Sequence, residues 1–513
     1  MNSLKIYIHL VPYIIYKILK INPMKRNLHQ LLCVIFLVAS FQVSAQYRYL
    51  DEVFDNVTVE SDVKYAQNYS VLTGAPVMED LLMDVYMPEG DSEELRPLII
   101  LAHAGSYLPK GLNTLPFGDR KDSSIVEMCK QFAKRGWVAA SMSYRLGWNP
   151  LDPTQEGKAG TIMNAVYRSA QDARACVRFF QEDAATDNIY KVDTTKITVG
   201  GSNSGGYTAL ATGYLNKVEE INLFKFQDEN GNSFINQAVT GGFYGEGGME
   251  GVNYYDNPGH TSEIQMVLNL GGAIGDTSWM EIGEVPVVAF HGVQDVTTPF
   301  MTSIVIVLAT GDPIVEVSGS HDALRYANTL GLNQMFVDAA FDDPYTQAAQ
   351  NRSAFEGLFP FQGAADGFEP WSWYNPDDPN IDNTTPGATG YGSRANPYAT
   401  KEKALAFIDT IMNYFCPRAV EALNLETGVG IQNNISPELV RIYPNPASDM
   451  LTIQALRTGP FSIEITSLNG QLIHSSISQG TTHRIDLTEY PKGIYLITVR
   501  SNEAVRTDKI IKL

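Results

Sequence analysis

The stretch Lys196-Ile-Thr-Val-Gly-Gly-Ser-Asn-Ser-Gly-Gly-Tyr-Thr-Ala-Leu210 sets a β-branched run directly before small residues around a serine, and a helix-forming segment directly after them. That order predicts a strand, a sharp turn and a helix. A serine on such a turn is pushed into the open over the helix N-terminus, and the backbone bends that tightly only where the residues two positions either side are small. Centred on Ser204, the pattern puts Ser202 and Gly206 in those places, Ser202 being a mild departure from the usual glycine. The same residues also suit a Gly/Ser-rich turn without chemistry.

The surrounding chain repeats the rhythm. Leu82 to Pro88 alternates at period two, whereas Pro97 to Ala102 and Trp137 to Met142 are continuous apolar runs, the mark of strands covered on both faces. Met163, Val166, Ala170, Ala173, Val177 and Phe180 recur at helical spacing as one apolar stripe. Further strands are expected at Ile264 to Leu270, Val285 to Phe290 and, last, near Gln334 to Val337. Strands alternating with helices predict an α/β class over residues 47–420, with a mainly parallel sheet and helices on both faces. Two stretches exceed what connections need, 216–262 and 340–398, and are expected as insertions. Their aromatics, Trp371 and Trp373 among them, suit either a platform for sugar rings or packing against the core.

A linker is expected over 421–437, followed by a small all-β, sandwich-like domain over 438–513. There Leu451/Ile453, Ile463/Ile465 and Ile494/Leu496 alternate with polar residues, and Asn469-Gly470 is a hairpin signal. At the other end Met24-Lys-Arg26, the apolar run Leu31 to Val38 and Val43-Ser-Ala45 read as a secretory signal peptide over 24–45. Residues 1–23 then come from a start placed too early, with Met24 the true one. A membrane anchor is the alternative, but Lys17, Lys20, Lys25 and Arg26 interrupt it.

A formal charge of −20 argues against a nucleic-acid partner, since such binding draws on clustered Lys and Arg. Of four cysteines, Cys33 lies in the leader, and Cys129, Cys176 and Cys416 allow at most one disulfide and show no metal-type spacing.

Acyl transfer by a serine needs a base, a group orienting that base, and donors aimed at the developing oxyanion. His103-Ala-Gly-Ser106 follows a buried strand at once, and its small residues let backbone N–H groups point into a site. His103 itself reads as structural. Asp295, in Phe290-His-Gly-Val-Gln-Asp-Val-Thr-Thr-Pro299, leaves another strand end and is the candidate orienting acid, with a surface-turn Asp as the alternative.

Taken in order, Leu82 to Pro88, the His103 loop, Tyr144-Arg-Leu-Gly147, Asp172-Ala-Arg174, the turn at Ser204 and His291-Gly292 with Asp295 make residues 47–420 resemble the α/β-hydrolase fold. Within that fold they resemble the carboxylesterase and acetyl- or feruloyl-esterase-like group. The resemblance implies Ser204 as nucleophile, Asp295 as acid, and amides at Ala104, Gly105 and Gly205 as oxyanion donors, with no metal or organic cofactor.

The histidine departs from the family order. Residues 338–420 contain none, and Asp366 stands in Gly363-Ala-Ala-Asp-Gly-Phe368 where relatives often read Gly-x-x-His-Gly-Phe. His321, at the start of an expected helix, either reaches Ser204 from an unusual place or is a helix-terminus residue of a broken triad. His260 and Asp366 stand next in line.

The tail carries a second resemblance. Ile442-Tyr-Pro-Asn-Pro446 with Asp449, Leu468-Asn-Gly-Gln471, Gly493-Ile-Tyr495 and Lys509-Ile-Ile-Lys-Leu513 resemble the C-terminal sorting domain of the type IX secretion system of Bacteroidota. This implies export by that machinery through the periplasm and outer membrane, to the cell surface or beyond. The expected function is a secreted serine esterase acting on acyl groups of polysaccharide or similar extracellular esters. The alternative is a hydrolase-fold protein that has lost its base and serves as a surface binding module.

Overall fold

The computed structural model describes residues 46–513 apart from 111, 114–116, 296, 308–309, 363–368, 374–399, 428–439, 456–460, 468–471, 479 and 502–504. Apart from Gln46, the described residues belong to the unit Tyr47–Leu513. The expected leader over 24–45, Asp366, the Asn469-Gly470 turn and most of the expected linker lie outside the described residues.

Eight strands form the central sheet in the order β1-β2-β4-β3-β5-β6-β8-β11. They are β1 (Val57–Ser70), β2 (Val77–Pro88), β3 (Arg96–Ala102), β4 (Val138–Met142), β5 (Val192–Ser202), β6 (Met266–Leu270), β8 (Val287–Gly292) and β11 (Leu358–Phe361). β1 and β2 are antiparallel to their neighbours and the rest run parallel. A short second sheet joins β7 (Ala273–Ile274), β10 (Pro313–Gly319) and β9 (Ser303–Ile306).

The continuous apolar runs are explained by coverage on both faces. Along β3, Leu98 and Ile100 join one core with Met163, Val177 and Phe180 of α2 (Gln155–Ala185), Leu210 of α3 (Ser204–Tyr214) and Leu324 of α4 (Ser320–Thr329). Ile99 and Leu101 join the other, with Phe132 of α1 (Ser123–Lys134) and Ile411 and Phe415 of the C-terminal helix Lys401–Ala422. The fold is therefore α/β, a mainly parallel sheet with helices on both faces.

The Tyr144–Gly147 and Asp172–Arg174 motifs are fastenings of this sandwich. Arg145 Nε and its backbone N–H donate to the Asp172 carboxylate at 2.8 and 2.7 Å, and both side chains are buried. Arg174 Nη2 donates to the carbonyls of Ala211, Thr212 and Leu215 at the end of α3.

Two expectations are corrected here. The strand expected near Gln334 to Val337 is a helix, α5 (Gln334–Ala339), and the last strand is β11, inside the stretch expected as an insertion over 340–398. Buried Asn333 sets this path, because its amide bonds both the N–H and the C=O of Val287 and so ties the helix start to β8. A short run such as Met335-Phe-Val337 does not by itself separate helix from strand. In 216–262, Tyr244 and Tyr255 lie under Arg174 and Arg178 at 5.1 and 4.5 Å, so these aromatics pack against α2. Cys129, Cys176 and Cys416 are buried and unpaired.

The C-terminal region, taken by itself, is all-β. Two antiparallel sheets span Val440–Lys512 in the described residues, one of Val440–Tyr443, Met450–Ala455 and Thr482–Asp486, the other of Leu472–Ser478, Phe461–Ser467, Gly493–Ser501 and Val505–Lys512. Leu451, Ile453, Ile463 and Ile465 are buried as expected. In β17 (Gly493–Ser501), however, Tyr495, Ile497 and Val499 point inward and Ile494 is exposed, one residue off the expected phase. With a side-chain period of two, that single step exchanges the faces.

Candidate active site

β5 ends at Ser202 and α3 begins at Ser204, so the turn between them is the single residue Asn203, with φ 50° and ψ −110°. This is a strained conformation for a residue with a side chain. The residues two positions either side are Gly201 and Gly205, and both need to be glycine. A Cβ on Gly201 would lie 2.3 Å from the Gly205 carbonyl oxygen, and one on Gly205 would lie 2.1 Å from that of Ala102. The sharp turn is thus centred on Asn203, one residue before the serine on which the sequence pattern was centred. The signal was present in the Gly201/Gly205 spacing.

Ser204 is the first residue of α3, and it is buried. The Ser106 N–H donates to its Oγ at 3.1 Å. The Tyr144 phenol donates its proton to the His103 carbonyl at 2.8 Å, so the 3.1 Å contact between Tyr144 Oη and Ser204 Oγ has the serine as donor. No imidazole is among the hydrogen-bond partners of Ser204 in the described residues. Gly205 lies within the first turn of α3, pressed beneath the end of β3, and the amide that follows the apex is that of Ser204.

The loop after β3 runs through three successive residues of positive φ. Gly105 has φ 122° and packs against Gly118, while Ser106 and Tyr107 also take positive φ. Ala104 and His103 are buried, and His103 stacks on Tyr144 with ring centroids 4.5 Å apart. Burial pushes the His103 pKa down to about 4.

Asp295 leaves β8 as expected, and its side chain is buried. Its Oδ1 accepts from Thr297 N, Thr297 Oγ1 and Thr298 N at 2.7–3.0 Å. Its Oδ2 is buried with no hydrogen-bond partner among the described residues, 3.6 Å from His291 Nε2. His291 is committed to Ser320 Oγ and the Thr298 carbonyl. His321 lies between Phe300 and Phe355, pairs with Asp322 at 3.0 Å, and does not line the cavity that reaches Ser204. His260 pairs with Glu182 at 2.7 Å and does not line it either. Ser204 and Asp295 thus come to the same edge of the sheet, while His321 and His260 do not join them.

Of two further buried groups, Trp371 was expected either as a sugar platform or as packing and Glu369 was not singled out in the sequence. Trp371 is buried and donates to Ser202 Oγ at 2.9 Å. Glu369 is buried with Ser372 Oγ at 3.1 Å from Oε2, and burial, reinforced by Asp295 and Asp122, pushes its pKa up to about 8. A folded-state pKa above the unfolded one favours folding while the group is protonated. That contribution is complete below about pH 4.5 and is lost as pH rises to about 8. Asp122, pushed to about 6 by burial, titrates lower. Between pH 6.5 and 8 the Glu369→Gln variant should therefore gain on wild type by about 2 kcal/mol, at ~1.4 kcal/mol per pKa unit. Thermal melts across that range check this, and parallel curves for the two proteins contradict it.

A cavity of about 350 Å³ opens at the turn, and Asn203, Ser204, Tyr207, Trp148 and Trp279 line it. Among the described residues, none of the lining side chains is charged.

Comparison with known proteins follows this geometry. Residues 83–321 match the BD-FAE family, and residues 441–513 match the Secretion system C-terminal sorting domain. No curated protein matches the chain. Similar solved structures include esterase 2 of Thermogutta terrifontis phosphoramylated by tabun, at 16% identity and TM-score 0.32 over 65% of this chain and 92% of that one. A truncated carbohydrate esterase from gut microbiota is 14% identical, at TM-score 0.32 over 71% and 96%. A bifunctional GH43-CE protein of Bacteroides eggerthii is 17% identical, at TM-score 0.30 over 47% and 29%. Likenesses at such TM-scores carry no argument about this chain. Among the described residues no helix is long and apolar enough to cross a membrane. The two family matches support a secreted carboxylic ester hydrolase: the chain carries a BD-FAE, esterase-like α/β-hydrolase domain and a type IX sorting domain that directs it to the cell surface or the extracellular space.

Proposed function

We propose that this secreted esterase-like domain keeps the family's ester pocket for binding and does not hydrolyse esters through a serine. The observation that carries this reading is the occupant of the turn, Asn203, whose carboxamide has no nucleophilic oxygen to form an acyl-enzyme. Asp295 Oδ2, which has no hydrogen-bond partner among the described residues, fits the same reading, as an orienting acid without a base. The protein would then hold an ester-bearing ligand, free or linked to polysaccharide, at the cell surface.

A second reading, hydrolysis of such esters by Ser204, is favoured by one contact. Ser204 Oγ lines the cavity and receives the Ser106 N–H. Turnover separates the two. On p-nitrophenyl acetate, butyrate and a feruloyl ester, wild type should show no rate above buffer, while ligand changes the emission of the cavity's Trp148 and Trp279. Turnover that disappears in Ser204→Ala would restore the serine esterase.

A further inference from the structure

Most of the cavity's polar side chains come from the turn and the start of α3 (Asn203, Ser204, Tyr207), from the loop after β3 (Ser106, Asn113) and from the loop after β8 (Thr297, Thr298). Tyr207 Oη is buried there beside Thr298. The rest of the lining is largely aliphatic, with Ile162, Met163 and Val166 of α2 and Val305, Val315 and Val317 of the β9–β10 pair.

That apolar lining does not stop at the mouth. Leu112, Leu151 and Ile306 line the cavity and yet are 69%, 78% and 37% exposed. Exposed large apolar residues continuous with a pocket mark a surface that a ligand or partner covers. From this lining and rim we propose that the ligand is the neutral ester of a long aliphatic acyl chain. Its carbonyl sits at the turn, and its chain runs along the β9–β10 wall and emerges over Leu112, Leu151 and Ile306.

Two alternatives fit the lining less well. A feruloyl group would carry its phenol to the aliphatic wall, where no side chain accepts or donates. A free carboxylate or a charged sugar would meet no opposite charge among the lining side chains. The inference rests on the binding reading above, but it is tested by a different observable.

The test titrates full-length protein with methyl butyrate, octanoate and dodecanoate and with ethyl ferulate, following tryptophan emission while product release is read separately. Each methylene buried should tighten Kd about fourfold, the equivalent of ~0.8 kcal/mol, so octanoate should bind more than a hundredfold tighter than butyrate. Ethyl ferulate should bind more weakly than octanoate. Leu151→Glu, at an exposed rim position that should not affect folding, should weaken dodecanoate about tenfold more than it weakens butyrate. Chain-length-independent binding, tighter ferulate, or an unaltered dodecanoate affinity in the rim variant would overturn the inference. Product release would instead overturn the binding reading, and the chain-length dependence would still be readable from KM.

Discussion

Gly205→Ala should lower the melting temperature by roughly 4–5 °C, as expected for ~3–4 kcal/mol lost in a region of this size. A methyl group at this position meets the Ala102 carbonyl oxygen at 2.1 Å and that of His103 at 2.8 Å. Both are backbone atoms of the sheet, so no side-chain rotation relieves the overlap, and α3 has to lift away from β3. Overpacking usually costs about 1–3 kcal/mol, and a backbone collision belongs at or beyond the top of that range. Gly480→Ala is the matching control. A Cβ there meets nothing within 4 Å, so its effect should stay within ~0.5 kcal/mol. Circular dichroism melts decide the matter, and a Gly205→Ala protein melting with wild type would mean that the turn is not wedged under β3.

The close packing at Gly205 also shows why the fold was more legible in the sequence than the site. Buried parallel strands announce themselves as apolar runs, and the α2 stripe from Met163 to Phe180 is buried throughout. These patterns average over many residues, so one ambiguous position does little harm. A catalytic centre turns on a single residue. In Gly200-Gly-Ser-Asn-Ser-Gly-Gly206 small residues stand on both sides of either candidate centre, and choosing the serine places the turn one residue late. The backbone dihedrals of Asn203, together with the collisions that a Cβ would suffer at Gly201 and Gly205, pick out Asn203.

The same sensitivity to one step appears in β17, where the inward set is Tyr495, Ile497 and Val499. His321 was correctly expected at a helix start, but its partners Asp322, Phe300 and Phe355 depend on contacts distant in sequence. The burial of Glu369 and Trp371 beside the turn is likewise tertiary, and no local pattern encodes it.

The central claim is that the turn presents Asn203 and that Ser204 is a helix residue with its hydroxyl engaged by Ser106 and Tyr144. An alkyl fluorophosphonate forms a bond only with a nucleophilic oxygen, and intact mass counts such adducts directly. Asn203→Ser would place a hydroxyl at the apex, beside the amides of the loop after β3. Even without a base, oxyanion donors and binding alone leave catalysis about 10³–10⁴ above water in well-studied serine hydrolases, enough for slow labelling over hours. The measurement is therefore the intact mass of wild type, Asn203→Ser and Ser204→Ala after prolonged incubation with the probe. The account predicts an unchanged mass for wild type and Ser204→Ala and one adduct on Asn203→Ser; an adduct on wild type that disappears in Ser204→Ala would contradict it.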